Sequence, residues 1–465
     1  MSDDFNDQFE EMQSNPQAPN TLPSSCALDD LCSYAPSRTC IYLPCKTMWP
    51  NASVDDRLPP MPLLDANGTP VLKNGKVMMI KPSVWLAKNR SIEALTWDPS
   101  KPEFIRDCVV VDGGYIEKLN AITLNFYRPP PDIKLGDPAQ ATRWVEHWRK
   151  LYPTDADHII AWLSHRVQHP GVKINHALVL GGAPKIGKDT LLEAVVRTVG
   201  EWNFKNIKLN HLISKNNEFL KSLIVRLSEA RDVGEHGTSD LYRLNDDVKD
   251  MLATPPDTLR VNEKYIPEYY ILNRVGMIVT TNYRDALRLP ADDRRHYVGF
   301  SECRSEEFPT EYWDEFWSWY ETGGFAHVAA LLYQHDLSSF NPKAEPRKTE
   351  AFHYMVTVSR GAAYGEIADA IDELGNPQAL TINELMVVAP NLETLRDPEK
   401  RKNTSFRLAE CQYIAISNPT AKDKLWRING QRQTIYVHRD VPEDQRVDVA
   451  AAHRNKLTTK KDPEP

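Results

Sequence analysis

Strand-like apolar runs alternate with helix-spaced apolar positions through the middle of the chain. The three clearest runs are residues 177–180, 223–227 and 275–279. Strands that alternate with helices predict a parallel α/β sheet, because parallel neighbours need a crossover connection. Upstream, apolar residues in 138–169 recur at helical spacing and predict helices that pack against this sheet.

The flanking segments have different patterns. Residues 1–40 are rich in Ser, Pro, Asn and acids and predict a disordered acidic tail. Residues 41–135 combine prolines, short β-like runs and Asn-Gly turns, which predicts a small β-rich or mixed N-terminal module. The helical lead-in and the α/β segment together span 136–345. A further domain is expected over 346–445, followed by a flexible tail over 446–465.

The pattern in 346–445 predicts a winged helix-turn-helix domain. Thr381 and Glu384 form a capping box at the start of one helix, and 398–414 predicts a second, basic helix. Asn429-Gly430 between two apolar runs predicts a hairpin with a type I′ turn. The basic helix would enter a DNA groove and the hairpin arginines would contact phosphates. The candidate DNA-binding residues are Lys400, Arg401, Lys402, Arg407, Arg427 and Arg432. Contact with a subunit or protein partner is the alternative use of such a domain.

Charge supports the DNA interpretation only locally. The 465 residues carry a formal net charge of −8, so the whole protein is not a polycation. Residues 1–35 hold seven acids and no Lys or Arg, whereas 396–439 hold ten basic residues and four acids. The positive field is therefore concentrated in the C-terminal domain.

Cysteine spacing and hydropathy give little further information about function. Four of the seven cysteines cluster near the N-terminus without a paired C-x-x-C step, so a zinc site is only weakly indicated and free thiols in a reducing cytosol are expected. No signal peptide pattern and no membrane-spanning apolar run occur, which predicts a cytoplasmic protein without a membrane partner. The clustered cysteines are Cys26, Cys32, Cys40 and Cys45.

The segment 181–190, with the sequence GGAPKIGKDT, carries the strongest chemical signal. It joins a strand run to a helical pattern and has two glycines and a lysine at the spacing of a phosphate-binding loop. Backbone N–H groups and the helix N-terminus would bind phosphate, while the lysine reaches the outer phosphates. We therefore expect ATP and Mg²⁺ as cofactors. The expected binding residues are Gly182, Gly187, Lys188, Asp189 and Thr190. A glycine turn that merely connects a strand to a helix is the alternative.

The metal ligand is ambiguous. Asp189 stands where Ser or Thr usually binds Mg²⁺, and the acidic strand ends in Ser228-Glu229 instead of an Asp-Glu pair. Glu229 is the candidate that polarises the attacking water. Either Asp189 supplies the missing metal carboxylate, or Thr190 is the ligand and Asp189 is a helix-start acid stabilised by the dipole. Asp232 is a reserve acid.

Two polar segments follow. The strand at 275–282 ends in Thr-Thr-Asn, and Asn282 is placed to orient water on a γ-phosphate. The later Asp-Asp-Arg-Arg run offers Arg294 or Arg295 to a neighbouring subunit's γ-phosphate. A surface cluster of acids and arginines is the alternative for the second segment.

A hairpin is predicted over 258–269 from its alternating bulky residues. Lys264 and Tyr265 lie at its turn and combine a charge with an aromatic surface, which suits contact with a nucleic-acid backbone. An ordinary solvated turn is the alternative, and the sequence does not decide between the two.

The order of these motifs resembles superfamily 3 helicases, most of all the phage and plasmid primase-helicase type (the D5-like and DUF5906-like group), over about residues 140–345. The resemblance implies an AAA+-like P-loop ATPase core that acts as a hexameric ring on single-stranded DNA. It assigns phosphate binding to Lys188, catalysis to Glu229, the DNA hairpin to Lys264 and the sensor to Asn282. Arg294 or Arg295 would be the trans arginine. No paired acidic primase motif is seen, so a separate primase or polymerase is an expected partner.

Three functions remain distinguishable. The first is an ATP-dependent DNA helicase or translocase in phage, plasmid or mobile-element replication, acting on single-stranded and forked DNA in the host cytoplasm. The second is a replication initiator or regulator whose ATP site switches DNA binding without unwinding. A terminase-like or defence ATPase is the third, and the lack of a nuclease motif counts modestly against it.

Overall fold

A computed structural model describes residues 26–212, 214–228, 248–252, 254–284, 286–287, 289–390 and 404–459. Its N-terminal part contains a four-stranded sheet in the order β3-β2-β1-β8 and a three-stranded sheet in the order β10-β11-β9. The elements are β1 (Leu31–Tyr34), β2 (Thr39–Tyr42), β3 (Thr47–Trp49), α1 (Asn51–Arg57), β4 (Met61–Pro62), β5 (Leu72–Lys73), β6 (Lys76–Val77), β7 (Met79–Ile80), α2 (Pro82–Asn89), β8 (Ser91–Ile92), β9 (Ala94–Thr96), β10 (Phe104–Val111) and β11 (Gly114–Asn125).

The expectation of disorder over 1–40 is wrong for residues 26–40. Leu31 and Cys40 are completely buried, and β1 pairs with β2 in an antiparallel ladder. Four-residue strands separated by a polar turn leave too short an apolar pattern to stand out from a polar composition. The remainder of the predicted tail, residues 1–25, lies outside the described residues.

A five-stranded parallel sheet forms the centre of the molecule, as the alternating pattern predicts, in the order β13-β14-β17-β12-β18. Every residue of β12 and β17 is buried, which is typical of central strands in a parallel sheet that is covered on both faces. The elements of this part are α3 (Thr142–Leu151), α4 (Ala156–Gln168), β12 (Ala177–Gly181), α5 (Lys188–Val199), β13 (Phe204–Ile207), α6 (Leu209–Leu212), β14 (Ile224–Ser228), β15 (Thr258–Glu263), β16 (Ile266–Leu272), β17 (Gly276–Thr281), β18 (His296–Phe300), α7 (Thr310–Trp319) and α8 (Phe325–Gln334).

One hydrophobic core joins the N-terminal strands to the parallel sheet, so they are not separate packing units. Phe126, just after β11, packs edge-to-face on Tyr269 of β16 with ring centroids 5.9 Å apart. The Thr96 hydroxyl donates to the carbonyl of Tyr270 over 3.2 Å. The antiparallel hairpin β15–β16, which the sequence predicts, is thereby fixed at its base to the N-terminal strands.

The C-terminal part has a three-stranded antiparallel sheet in the order β19-β23-β20 and a separate two-stranded hairpin, β21–β22. The hairpin turns at Asn429 and Gly430, both with positive φ, in agreement with the predicted type I′ turn. The elements are α9 (Glu350–Glu373), β19 (Ala379–Thr381), α10 (Ile382–Val388), α11 (Thr404–Glu410), β20 (Tyr413–Ile416), β21 (Trp426–Ile428), β22 (Gln431–Gln433), β23 (Ile435–His438) and α12 (Arg446–Thr459).

Two sequence predictions need correction here. The helix expected over 398–414 ends at Glu410, because Gln412 adopts a positive φ and the next residues pair with β23 as a strand. The flexible tail expected from 446 is helix α12 as far as residue 459. Its Ala450 is fully buried against the sheet, and the narrow apolar stripe is hidden in a polar sequence.

Within the described part of the chain, no helix is both long and apolar enough to cross a bilayer.

Candidate active site and nucleic-acid surfaces

The glycine loop (residues 182–187) turns sharply between β12 and α5. Gly182 and Gly187 have φ values of 150° and 96°, a region that side chains disfavour. A Cβ on Gly187 would lie 2.3 Å from the Trp313 ring and 2.7 Å from His147 Nε2. The first turn of α5 presents N–H groups that have no acceptor within the helix. The loop therefore lies at the positive end of a helix, beside N–H groups that an anion can accept from.

The glycine loop lies where the sheet changes its direction of winding. After β12 the chain crosses to β13 at the far edge, whereas after β17 it crosses to β18 on the opposite side. Neighbouring strands whose connections depart in opposite directions leave a crevice at their carboxyl ends, and ligands bind there in open α/β sheets. Lys188 and Asn282 meet in this crevice.

Lys188 is buried and holds the glycine loop in place. Its Nζ donates to the carbonyls of Gly182 at 2.6 Å and Ala183 at 2.9 Å, and to Asn282 Oδ1 at 3.2 Å. Burial lowers the pKa of Lys188 to about 8, while the nearby Asp189 raises it. The charge is thus held next to the loop, where a phosphate would be a stronger partner than backbone carbonyls.

The affinity of the glycine loop for a phosphate group is expected to fall above pH 8, and ATP is the probe that tests this. The free site loses its ammonium charge as pH rises through the pKa of about 8 for Lys188, whereas a bound phosphate would keep the lysine protonated. The dissociation constant for ATP should then increase up to about tenfold per pH unit above that pKa, with proton uptake on binding. Calorimetry in buffers of different ionisation enthalpy measures both effects. A flat affinity from pH 7 to about pH 9.5 would contradict this.

His147 on α3 contacts the glycine loop, and the sequence did not identify it as a residue of the site. Its Nε2 donates to the Ile186 carbonyl over 2.9 Å, so Nδ1 must accept from the Tyr312 hydroxyl at 2.5 Å. Burial lowers the pKa of His147 to about 4, which keeps the imidazole neutral. Helical spacing marks this position as buried, but only the fold shows that it touches the loop.

Asp189 forms an ion pair with Arg226 of β14, with Oδ1 and Nη1 2.7 Å apart. Arg226 is largely buried and the Asp189 side chain is mostly exposed. Ser228, at the end of the same strand, donates its hydroxyl to the Ile207 carbonyl over 3.3 Å. Thr190 is half-buried in the first turn of α5. Glu229 and Asp232 lie outside the described residues, so the proposed catalytic acid stays a prediction.

No group of three or more His, Cys, Asp or Glu side chains in the described ranges is arranged to hold a metal ion. Cys26, Cys32 and Cys40 are buried and Cys45 is exposed, and none of these four forms a disulfide. Burial raises the pKa of Cys32 to about 12 and that of Cys40 to about 11, which disfavours the thiolate that metals require.

Arg294 and Arg295 lie at the opposite end of the sheet from the glycine loop. They precede β18, whose first residue His296 pairs with Ala177 at the start of β12. The five residues of β12 separate them from the loop, about 16 Å along the strand. Arg294 is exposed, whereas the Arg295 backbone is fixed by Asp293 and Ala177. Neither arginine is placed to reach the loop of its own chain.

Lys264 and Tyr265 form the turn of the β15–β16 hairpin, as predicted. Both are exposed, and Tyr265 has 93% of its surface open. The preceding Glu263 is engaged by Lys221, 2.5 Å away, and by the Tyr269 hydroxyl at 3.1 Å. The tip thus presents a cation and an aromatic ring whose nearest carboxylate is already neutralised.

Arg427 and Arg432 face each other across the β21–β22 hairpin, and both are exposed. Like charges directly opposite each other destabilise a strand pair, which an anionic ligand would relieve. Asp423 compensates one of them, 3.2 Å from Arg432 Nε. Arg407 lies on α11. Lys400, Arg401 and Lys402 lie outside the described residues.

A family model described as a family of unknown function, DUF5906, matches residues 180–295, the stretch from the glycine loop to Arg295. No curated protein matches the chain. Among solved structures, the apo NrS-1 C terminal region is 17% identical over 79% of this chain and 93% of that chain, with a TM-score of 0.48. A JCV helicase bound to a small molecule is 18% identical over 49% of this chain and 61% of that chain, with a TM-score of 0.30.

Proposed function

We propose that this chain is an ATP-driven DNA helicase or translocase that acts in DNA replication. The observation that carries the proposal is the Lys188 ammonium, buried against the Gly182 and Ala183 carbonyls and Asn282 at the point where the sheet reverses its winding. A buried lysine on a glycine loop at a helix N-terminus suits a nucleoside triphosphate, and Asn282 beside it suits orientation of the attacking water.

Magnesium would enter this site with the nucleotide. The donor chemistry fits a hard cation, because Asp189 and Thr190 offer oxygen ligands in the first turn of α5. The ion pair between Asp189 and Arg226 supports Asp189 as the ligand, since a carboxylate that binds a guanidinium in the free state is also placed to bind a cation. Glu229 remains the proposed general base.

A ring of subunits, most simply a hexamer, explains the position of Arg294. An exposed arginine at the sheet end remote from its own glycine loop suits contact with a neighbour's γ-phosphate. Cyclic, heterologous packing brings different surfaces of adjacent subunits together in this manner. Arg294 is the stronger candidate, because Arg295 is half-buried.

The DNA would be engaged at two places. The hairpin tip at Lys264 and Tyr265 suits the backbone of a single strand. The C-terminal part has the helices, three-stranded sheet and hairpin expected of a winged helix, whose Arg407, Arg427 and Arg432 would contact duplex phosphates. Single-stranded and forked DNA are then the substrates, with a separate primase or polymerase as partner in a phage, plasmid or mobile element.

The second candidate is an initiator or regulator that binds duplex DNA under ATP control without unwinding it. The opposed Arg427 and Arg432 support it, because two exposed arginines on a hairpin suit static contacts with duplex phosphates. Strand displacement distinguishes the two functions.

A forked duplex labelled on one strand tests the proposal. We expect displacement with ATP and Mg²⁺, none with a non-hydrolysable analogue, and ATP turnover that single-stranded DNA stimulates about tenfold or more. A Lys188→Ala variant is the matched control. ATP turnover without displacement on forks of either polarity would assign the switch function instead.

A further inference from the structure

A large cleft separates the N-terminal strands from the edge strand of the parallel sheet. Its volume is about 1420 Å³, and residues of the β2–β3 connection, the segment 97–103 and residues 126–129 line one side. The other side is formed by β13 and parts of 211–221. Pockets for small molecules measure roughly 300–1,000 Å³, so this cleft has room for a polymer.

Cations line both walls of the cleft. Lys46 and Lys221 are neutralised by Glu103 and Glu263. By contrast, no carboxylate among the described residues forms an ion pair with Lys101, Arg128 or Lys205, all three of which are exposed. Glu218 is the one lining acid outside these pairs, so the cleft carries a positive excess.

The cleft adjoins the tip of the β15–β16 hairpin. Glu263, the last residue of β15, lines the cleft, and Lys264 and Tyr265 follow it directly in the exposed turn. A strand held at the tip would therefore pass into a groove of lysines and exposed amide side chains, among them Asn206 and Asn216.

We propose that this cleft binds single-stranded nucleic acid by its phosphate backbone, along a path that continues from the hairpin tip. Three of the aromatic residues in the lining, Trp97, Phe126 and Phe219, are buried. Tyr127 and Trp202 are half-buried, and the Arg128 guanidinium lies over the Trp202 ring, 3.8 Å from its centroid, so little ring surface is open to bases. Binding is therefore independent of base identity and strongly dependent on salt. The inference rests on the proposed DNA-translocating function, because that function places a single strand at the hairpin tip, where the path into the cleft starts.

Removal of the two exposed lysines tests the inference. The full-length Lys101→Gln/Lys205→Gln variant should bind a fluorescent oligothymidylate about tenfold more weakly at moderate salt. The slope of log affinity against log salt should become shallower by roughly 1.4, about 0.7 for each lost phosphate contact. A Lys73→Gln/Lys76→Gln variant is the control, because these exposed lysines lie on β5 and β6 in the same part of the molecule and do not line the cleft. Its affinity and slope should match those of the wild type.

Crosslinking gives an independent readout. Oligothymidylate that contains 4-thiothymidine should crosslink to peptides from β13 and from 97–103 in the wild type. Wild-type affinity and slope in the cleft variant would overturn the inference, as would equal competition by polyglutamate, which would assign the cleft to an acidic polypeptide. A wild type that binds no oligothymidylate and shows no DNA-stimulated turnover would refute the proposed function itself.

Discussion

Two inactive variants are expected to restore each other's activity when mixed. Lys188→Ala should abolish nucleotide binding, because it removes the ammonium that lies against the Gly182 carbonyl. Arg294→Ala should bind ATP normally but turn it over about 10³-fold more slowly. If each site takes its lysine from one subunit and its arginine from the next, roughly a quarter of the interfaces in a randomly mixed ring are intact. Turnover should therefore recover to that fraction.

Two further variants define the outcome. Arg295→Ala should retain most activity if Arg294 is the trans residue, and Arg149→Ala, which removes an exposed arginine paired with Asp157, should behave as the wild type. Native mass spectrometry of the mixture establishes that rings contain both chains. Mixed rings without recovered turnover would exclude the trans arrangement.

Among variants of the proposed Mg²⁺ site, the largest loss of ATP turnover is expected from Asp189→Ala. Asp189→Ala should reduce Mg²⁺-dependent ATP turnover by about 100-fold, whereas Thr190→Ala reduces it less than roughly tenfold. Arg226→Gln removes the guanidinium that binds Asp189 in the free state, so half-maximal turnover should require less Mg²⁺. Mg²⁺ titrations of turnover and of fluorescent nucleotide binding measure these shifts.

Glu193→Ala is the matched control for Asp189, since Glu193 is an acid on the same helix that pairs with Arg197 at the surface. It should leave the Mg²⁺ requirement unchanged. An inactive Thr190→Ala variant beside a fully active Asp189→Ala variant would assign the metal to the threonine.

Local sequence patterns determine most of what was predicted here. The run before Gly181, the glycine spacing and Lys188 all act over fewer than ten residues, so period and turn chemistry reveal the strand, loop and helix. The β21–β22 hairpin follows for the same reason, because Asn429-Gly430 specifies its turn without help from the rest of the fold.

Contacts between segments that are distant in the chain could not be predicted from the sequence. His147 precedes Ile186 by 39 positions and Arg226 follows Asp189 by 37, and no spacing rule connects such pairs. The strands at 31–42 and helix α12 were missed because they lie in polar segments and gain their stability from tertiary packing rather than from a clear apolar period.

The common core of the N-terminal strands and the parallel sheet limits how the chain can be divided. A fragment that starts at residue 136 would leave Tyr269 without Phe126, and Trp202 without the Arg128 carbonyl to which its indole donates. The hairpin that carries Lys264 would then expose an apolar face at its base. The N-terminal strands are thus part of the packing that holds the parallel sheet and the hairpin, and a minimal folded fragment has to include them.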